Sequence, residues 1–307
     1  MKKEIKSKKF ALPRVLIIGC GDVGMRILPL LGAQLHLPTA TRFKIFAATS
    51  QASRCAELRA AGAIPIIANL DQPASLARLA NLADLIIYLA PPPTQGNTDS
   101  RSRHLAARLS HRCRLVYVST SGVYGDCGGA MIAETRSVKP HNPRAVRRVD
   151  AEQVWRDWAR RTGSILSILR VPGIYAGERL PIERLKKQTP ALRPEDDVYT
   201  NHIHADDLAR ITLKALFHGR PNRIYHAVDD SCLMMGEYFD LVADTFGLAR
   251  PARLARAALA EQVNPMLLSF MSESRRLSNR RMQQELGIRL QYPTVQAFLQ
   301  SQAVSQT

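Results

Sequence analysis

Residues 14–24 read RVLIIGCGDVG, an apolar run that ends in three glycines spaced as GxGxxG. No other stretch restricts the fold as strongly. A continuous apolar run of this length suits a strand covered on both faces. The glycines close that strand and open a helical pattern from Val23 to Leu35. Strand, glycine turn and helix, in that order, is the context that gives GxGxxG its meaning. Gly19 permits the tight turn, Gly21 lets the backbone approach a pyrophosphate, and Gly24 lets helix and strand pack closely. The start of the helix, with Asp22 and Val23, offers free N–H groups to an anion. The plainer alternative is a glycine-rich turn with no ligand.

The same alternation continues. FKIFAA (43–48), AIPIIA (63–68), DLIIYLA (84–90), RLVYVST (114–120), SILSILRV (164–171) and RIYHAV (223–228) read as further strands. Helical patterns fall at 52–61, 73–80 and 99–112, from PHNPRAVRRVDAEQVW (140–155) to about Arg161, and at 206–217. This rhythm predicts an α/β fold, a doubly wound parallel Rossmann sheet. The strand–helix rhythm ends after Pro172. The expected division is a dinucleotide-binding domain of 11–172 plus 201–228, and a smaller, mostly helical C-terminal substrate lobe of 173–200 plus 229–307. Residues 1–10 read as a basic, flexible tail. Asp206 and Asp207 read as N-cap residues. NRRMQQEL (279–286) reads as a helix capped by Ser278 or Asn279 and stopped by Gly287.

The chain has 307 residues and a formal net charge of +17. Such an excess draws anions such as nucleotides and phosphorylated substrates. The basic residues are spread along the chain with no nucleic-acid module, so nucleic acid is not the expected partner. Five cysteines stand singly without a CxxC, which suits a reducing, cytoplasmic setting. No apolar run approaches the roughly 20 residues of a membrane span. MKKEIKSKKF leads into no apolar core, which argues against a secretory signal. His202 and His204 alternate like strand residues and no third ligand is marked, so no metal site is expected.

The dinucleotide is expected to be NADP or NAD, with NADP favoured. An NAD site usually has an acid closing the second strand. Here that strand runs into AATSQASR, where Thr49, Ser50 and Arg54 are placed to hold a 2′-phosphate. Arg54 reads equally well as a solvated surface residue.

VYVSTSGVYGD (116–126), with Thr120 three residues before VYG, resembles the extended short-chain dehydrogenase/reductase superfamily, in its NAD-dependent epimerase/dehydratase group. That family shows an acid, then Pro, then YxxxK with Glu four residues after the Lys. This chain has Glu134, Pro140, Pro143 and Glu152, so Arg148 stands at the Lys position and Arg144 at the Tyr position. LRVPGIYAG (169–177) is similar to the family segment beside the nicotinamide. NHIHADDLA (201–209) and IYHAVDD (224–230) are similar to two further family segments, and 278–293 resembles an atypical bacterial branch. The likeness runs from about Arg14 to about Asp230. Expected cofactor contacts also include Asn69, Leu70, Leu89, Ala90, Pro172 and Ile174.

The resemblance implies that the Tyr exchanges a proton with a substrate hydroxyl while hydride moves to or from the nicotinamide. It implies that the Lys lowers the Tyr pKa and holds the nicotinamide ribose. Thr120 would bond the reacting oxygen. Arginine cannot replace the Tyr: with a pKa of about 13, its deprotonation at pH 7 costs roughly 8 kcal/mol. Loss of acid–base help typically costs roughly 10²–10⁴ in rate. Arg148 can still donate to ribose hydroxyls. Tyr124 reads as packing, Tyr175 as packing or a nicotinamide neighbour, and Cys127 as a thiol near the substrate without a sign of activation. Two readings stay open. One is an atypical oxidoreductase or epimerase acting on a sugar-like, anionic or nucleotide-linked small molecule. The other is a non-catalytic NAD(P)-binding or sensing module. A homodimer is compatible with the resemblance, although Arg147, Arg156, Arg160 and Arg161 on the same helix would repel a symmetry mate unless acids compensate.

Overall fold

The structure, a computed structural model, describes residues 12–32 and 43–304. The basic tail, and the part of the first helical pattern beyond Gly32, lie outside the described residues. The first half alternates as expected: β1 (Arg14–Ile18), α1 (Asp22–Gly32), β2 (Lys44–Thr49), α2 (Cys55–Ala60), β3 (Ile64–Ile67), β4 (Leu85–Tyr88), α3 (Ser100–Arg108) and β5 (Arg114–Thr120). There follow β6 (Met131–Ile132), α4 (Pro143–Thr162), β7 (Ile165–Val171), β8 (Gly173–Tyr175), α5 (Ile182–Lys186), β9 (Ala191–Leu192), β10 (Tyr199–Thr200), β11 (His202–His204), α6 (Ala205–His218) and β12 (Arg223–His226). The remainder is β13 (Leu233–Met234), α7 (Met235–Thr245), β14 (Arg253–Leu254), α8 (Arg256–Gln262), α9 (Pro265–Phe270), β15 (Arg276–Leu277), α10 (Arg280–Leu286) and α11 (Val295–Val304).

Seven strands form the central sheet in the order β12-β7-β5-β4-β1-β2-β3. Every pairing is parallel. The chain winds outward from β1 to β3 and then returns to β4 on the other side of β1. The crevice beyond the carboxyl ends of β1 and β4 is therefore the switch point where such sheets take ligands. Val15–Ile18 are fully buried because both faces of β1 are covered. One face carries Ile27, Leu28 and Leu31 of α1 with Leu208 and Ile211 of α6. The other carries Leu105 of α3 with Trp155 and Trp158 of α4.

Several boundaries differ from the sequence reading. The helix expected at 99–112 stops at Arg108, because Leu109 turns inward and its carbonyl accepts the Trp158 indole N–H at 2.7 Å. The segment 73–79 is a 3₁₀ turn that buries Leu76 and Leu79, three residues apart. Asp206 and Asp207 are not the N-cap of α6. His204 is, with Nδ1 accepting the Asp206 N–H. Asp207 is buried and accepts the N–H groups of Gln291 and Tyr292, which ties down the C-terminal segment. Asn279 stands at the start of α10, but its amide donates to Val228 O and Asp230 instead of capping. Gly287, at φ +60, ends that helix. The division expected from the sequence puts 280–288 in the small lobe, yet Met282, Leu286 and Ile288 pack into the core on the α1 and α6 side of the sheet. Arg147 is buried and donates to Gly96 O.

Under the carboxyl ends of β5 and β7 lies a buried ion pair. Arg170 Nε and Nη2 donate to the two oxygens of Glu152, at 3.0 and 2.7 Å. Ser119 Oγ donates to Glu152 Oε1 at 2.7 Å, and the Arg170 guanidinium lies 4.7 Å from the Tyr124 ring centre. Removing one member of such a pair strands the other charge without water. Glu152→Ala should therefore lose about 3–5 kcal/mol of stability by denaturant unfolding. A loss below about 1 kcal/mol would show that the pair holds nothing together.

A second buried acid lies between sheet and lobe. Asp229 Oδ1 accepts the Ser231 N–H, while Oδ2 has no hydrogen-bond partner among the described residues. Burial pushes its carboxyl up to about 7. The unfolded carboxyl titrates near pH ~4, so the folded state holds the extra proton between about pH 4 and 7. Asp229 thus lowers stability as pH rises through that window. Buried His202 and His226, pushed down to about 4 and about 3 by burial, act with the opposite sign. Asp229→Asn, measured against the parent at pH 5 and pH 8, should gain relative stability at pH 8. An equal difference at both pH values would contradict this.

Candidate cofactor and substrate site

The glycine turn has three glycines with three different physical reasons. Gly19 has φ +80, and a Cβ there would lie 2.6 Å from the Ala90 nitrogen. A Cβ on Gly24 would lie 2.9 Å from Cys20 Sγ. Backbone conformation and packing therefore demand these two. Gly21 is different: its Cβ would meet no atom nearer than Gly19 O, at 4.0 Å. The protein itself leaves room for a side chain there, so the bare backbone suits close approach by a ligand. Burial raises the Cys20 thiol to about 11, which leaves it inert.

A cavity of about 430 Å³ opens beside this turn. It brings together Gly19, Gly21, Thr49, Ser50, Arg54, Asn69, Leu70 and Ala90 of the expected cofactor set. No acid closes β2. Arg54 donates from Nη1 to Cys20 O at 2.6 Å, and from Nε and Nη2 to Glu57, at 3.0 Å each. Asp71 also lines this cavity, and Arg101 holds both of its oxygens. Asp22, Val23 and Gly24 stand outside the cavity walls. Asp22 pairs with Arg26 and Arg179, and Val23 packs on the core.

A second cavity, of about 400 Å³, lies on the other side of the switch point. Thr120, Arg144, Arg148, Leu89, Pro172 and Ile174 all line it. Helix α4 delivers the two arginines: Asn142 caps it by accepting the Ala145 N–H, and Pro143 occupies its first turn. Arg144 and Arg148, four positions apart, then lie on one face. Arg148 reaches inward, and Nη1 donates to Tyr117 Oη at 3.0 Å and Val118 O at 2.9 Å. Burial works against its charge, but Tyr117, Tyr88 and Asp99 together outweigh it and the pKa is raised. Arg144 stands exposed at the mouth. Its pKa is lowered, first by lost hydration against the wall and then by the Arg148 charge. Thr120 ends β5, and Oγ1 accepts the Gly122 N–H.

Sequence reasoning missed Asn142, Tyr199, Glu273 and Arg275, which complete this wall. Asn142 had a signal, an Asn directly before a proline at a helix start. The other three come from the small lobe, where no pattern marked them. Glu273 accepts from Arg275 Nη1 at 2.8 Å and from Asn142 Nδ2 at 3.3 Å. The Tyr199 ring is covered by the Arg276 guanidinium at 4.7 Å. Tyr124 is buried and bonds His226. Tyr175 is buried in the lobe core among His202, His204 and Phe298. Cys127 donates to Gly125 O and does not line the cavity. Among the described residues, no helix is long and apolar enough to cross a membrane.

Solved structures share this architecture. A functionally unknown conserved protein from Silicibacter pomeroyi is 25% identical with a TM-score of 0.78, over 95% of this chain and 99% of that one. A dTDP-glucose 4,6-dehydratase from Streptomyces venezuelae, with NAD and TYD bound, is 19% identical with a TM-score of 0.75, over 96% and 97%. A UDP-glucose 4-epimerase from Thermotoga maritima, with UDP-glucose, is 15% identical with a TM-score of 0.74, over 95% and 97%. No curated protein matches the chain. Residues 42–227, more than half of the chain, match the NAD dependent epimerase/dehydratase family. The seven-stranded parallel sheet, the glycine turn at its switch point and this match agree, and the chain belongs to that family.

Proposed function

We propose that the protein binds NADP or NAD along the switch point and acts as an atypical oxidoreductase or epimerase on a sugar-like small molecule. The observation that carries the cofactor assignment is Gly21. Neither backbone conformation nor packing requires glycine there, and the open space beside it faces the first cavity. The adenosine end lies among Thr49, Ser50, Arg54 and Asn69. The nicotinamide end lies among Leu89, Pro172 and Ile174, with Arg148 donating toward the ribose. When bound, the nicotinamide supplies a hydride acceptor or donor. Thr120 bonds the reacting oxygen of the substrate. The nucleotide-sugar bound to the Thermotoga enzyme supports a sugar-like or nucleotide-linked substrate.

Arg144 and Arg148 occupy the wall where the family pattern has its Tyr and Lys. Arginine holds its proton at neutral pH, so the proton of a reacting hydroxyl must pass to water or to a group of the substrate. The same pair favours a second reading, a module that holds the dinucleotide without turning it over. Single-turnover reduction of bound NADP by candidate sugars separates the two.

Calorimetry with NADP and NAD tests the assignment directly. Gly21→Asp puts a side chain and a negative charge into the open space and should weaken binding by at least about a hundredfold. Unchanged affinity in a folded variant would sink the cofactor site. The missing acid after β2, together with Arg54 at the cavity, supports NADP over NAD. Arg54→Ala should cost NADP about tenfold and NAD about twofold or less. Tighter binding of NAD than of NADP by the parent would reverse that preference.

A further inference from the structure

Helix α4 begins against its own electrostatics. A helix N-terminus carries partial positive charge and favours acids. The first turn of α4 holds none, and Arg144, Arg147 and Arg148 follow instead. Arg147 is turned away onto Gly96 O. Arg144 and Arg148 line the second cavity, and Arg275 joins them from the substrate lobe. Against these three guanidinium groups the described wall sets one carboxylate, Glu273. Arg275 Nη1 donates to Gly125 O and Glu273, while its buried Nε bonds nothing among the described residues. A wall with more guanidinium than carboxylate groups and a buried, unused N–H suits an anion.

We propose that this wall is an anion subsite, in which Arg144 and Arg275, with Arg148 behind them, hold a carboxylate or phosphoryl group of the substrate beside Thr120. The inference rests on reading the second cavity as the substrate site. It narrows the substrate to a small molecule that carries such a group near its reacting carbon. Asn142 and Glu273 act as positioning residues: Glu273 joins the α4 cap to Arg275, and so holds the lobe arginine against the helix that carries Arg144. The α4 N-terminus adds its own dipole to the same point.

The test uses NADP-saturated protein, so that the pyrophosphate turn is filled. Its thermal midpoint is measured with sodium malonate, with sodium phosphate, and with sodium chloride at matched ionic strength. At least one of the first two should raise the midpoint above the chloride control by several degrees, with saturation. A response to malonate alone marks a carboxylate site, and a response to phosphate alone a phosphoryl site. A response to both marks a site that reads charge. Arg144→Ala should weaken the apparent affinity at least about tenfold. Arg275→Ala should do the same, and Arg275→Lys serves if the alanine variant does not fold. Arg160→Ala, at the far end of α4 and paired with Asp157, should respond like the parent. The proposal is overturned if neither probe exceeds chloride, or if the Arg144 and Arg275 variants respond as the parent does. If NADP itself does not bind, the cofactor reading fails separately. The same titration of the Gly21→Asp variant then tests the subsite alone.

Discussion

The buried pair of Glu152 and Arg170 is the interaction on which the site depends. Arg170 lies on β7, Glu152 on α4, and Ser119 on β5 adds a third tie. Through these contacts the middle of α4 is locked to the strand ends beside the crevice. The N-terminal turns of α4 then have one place to go, and that place is the wall of the second cavity. Arg144 and Arg148 line the cavity with Thr120 because the helix that carries them is pinned one turn further on. The pair gains little as a bare salt bridge, since desolvation offsets much of the attraction. Its value lies in orientation, because a shift of α4 would strand both buried charges.

Charge is distributed with the same logic. The chain carries a formal net charge of +17, yet several arginines near the crevice are already engaged. Arg54 is held by Glu57, Arg101 by Asp71, and Arg26 by Asp22 and Asp206. The Arg54 and Arg101 pairs stiffen the rim of the first cavity without leaving it strongly charged, while Arg26 stands outside its walls. The second cavity is the contrast, with three arginines around a single carboxylate. Two cavities flank one switch point and differ in electrostatic character. That difference suits a long dinucleotide lying across both, with a smaller partner at the more positive end.

Much of the fold was legible because its signals are local. Each central strand is a short apolar run bounded by turn residues, and burial on both faces needs no more than that. Helix ends were less legible where a distant side chain decided them. Trp158 captures the Leu109 carbonyl and ends α3 early. His204 caps α6 because its ring lies where the Asp206 N–H points, while Asp207 is drawn away to the C-terminal segment. Leu109 and Trp158 lie 49 positions apart and Asp207 and Gln291 lie 84 apart, so no window of neighbouring residues contains both members of either pair. The docking of α10 on the sheet was hidden for the same reason. Its apolar positions could have served the lobe equally well, and only the space beside α6 and β12 selected the sheet.

The sequence by itself determined the parallel sheet, the glycine turn and the one helical face shared by Arg144 and Arg148, because backbone sterics and helical period act over a few residues. It also marked the dinucleotide side of the crevice, where Gly19, Thr49, Arg54 and Asn69 each close or follow a strand. The tertiary structure alone decided the wall of the second cavity. Tyr199, Glu273 and Arg275 reach the cavity from a lobe whose chain returns to α4 more than a hundred residues later, and Glu273 meets Asn142 across 131 positions. Charge interactions depend on distance in space, and no spacing along the chain records which guanidinium will face which carboxylate once the lobe has packed.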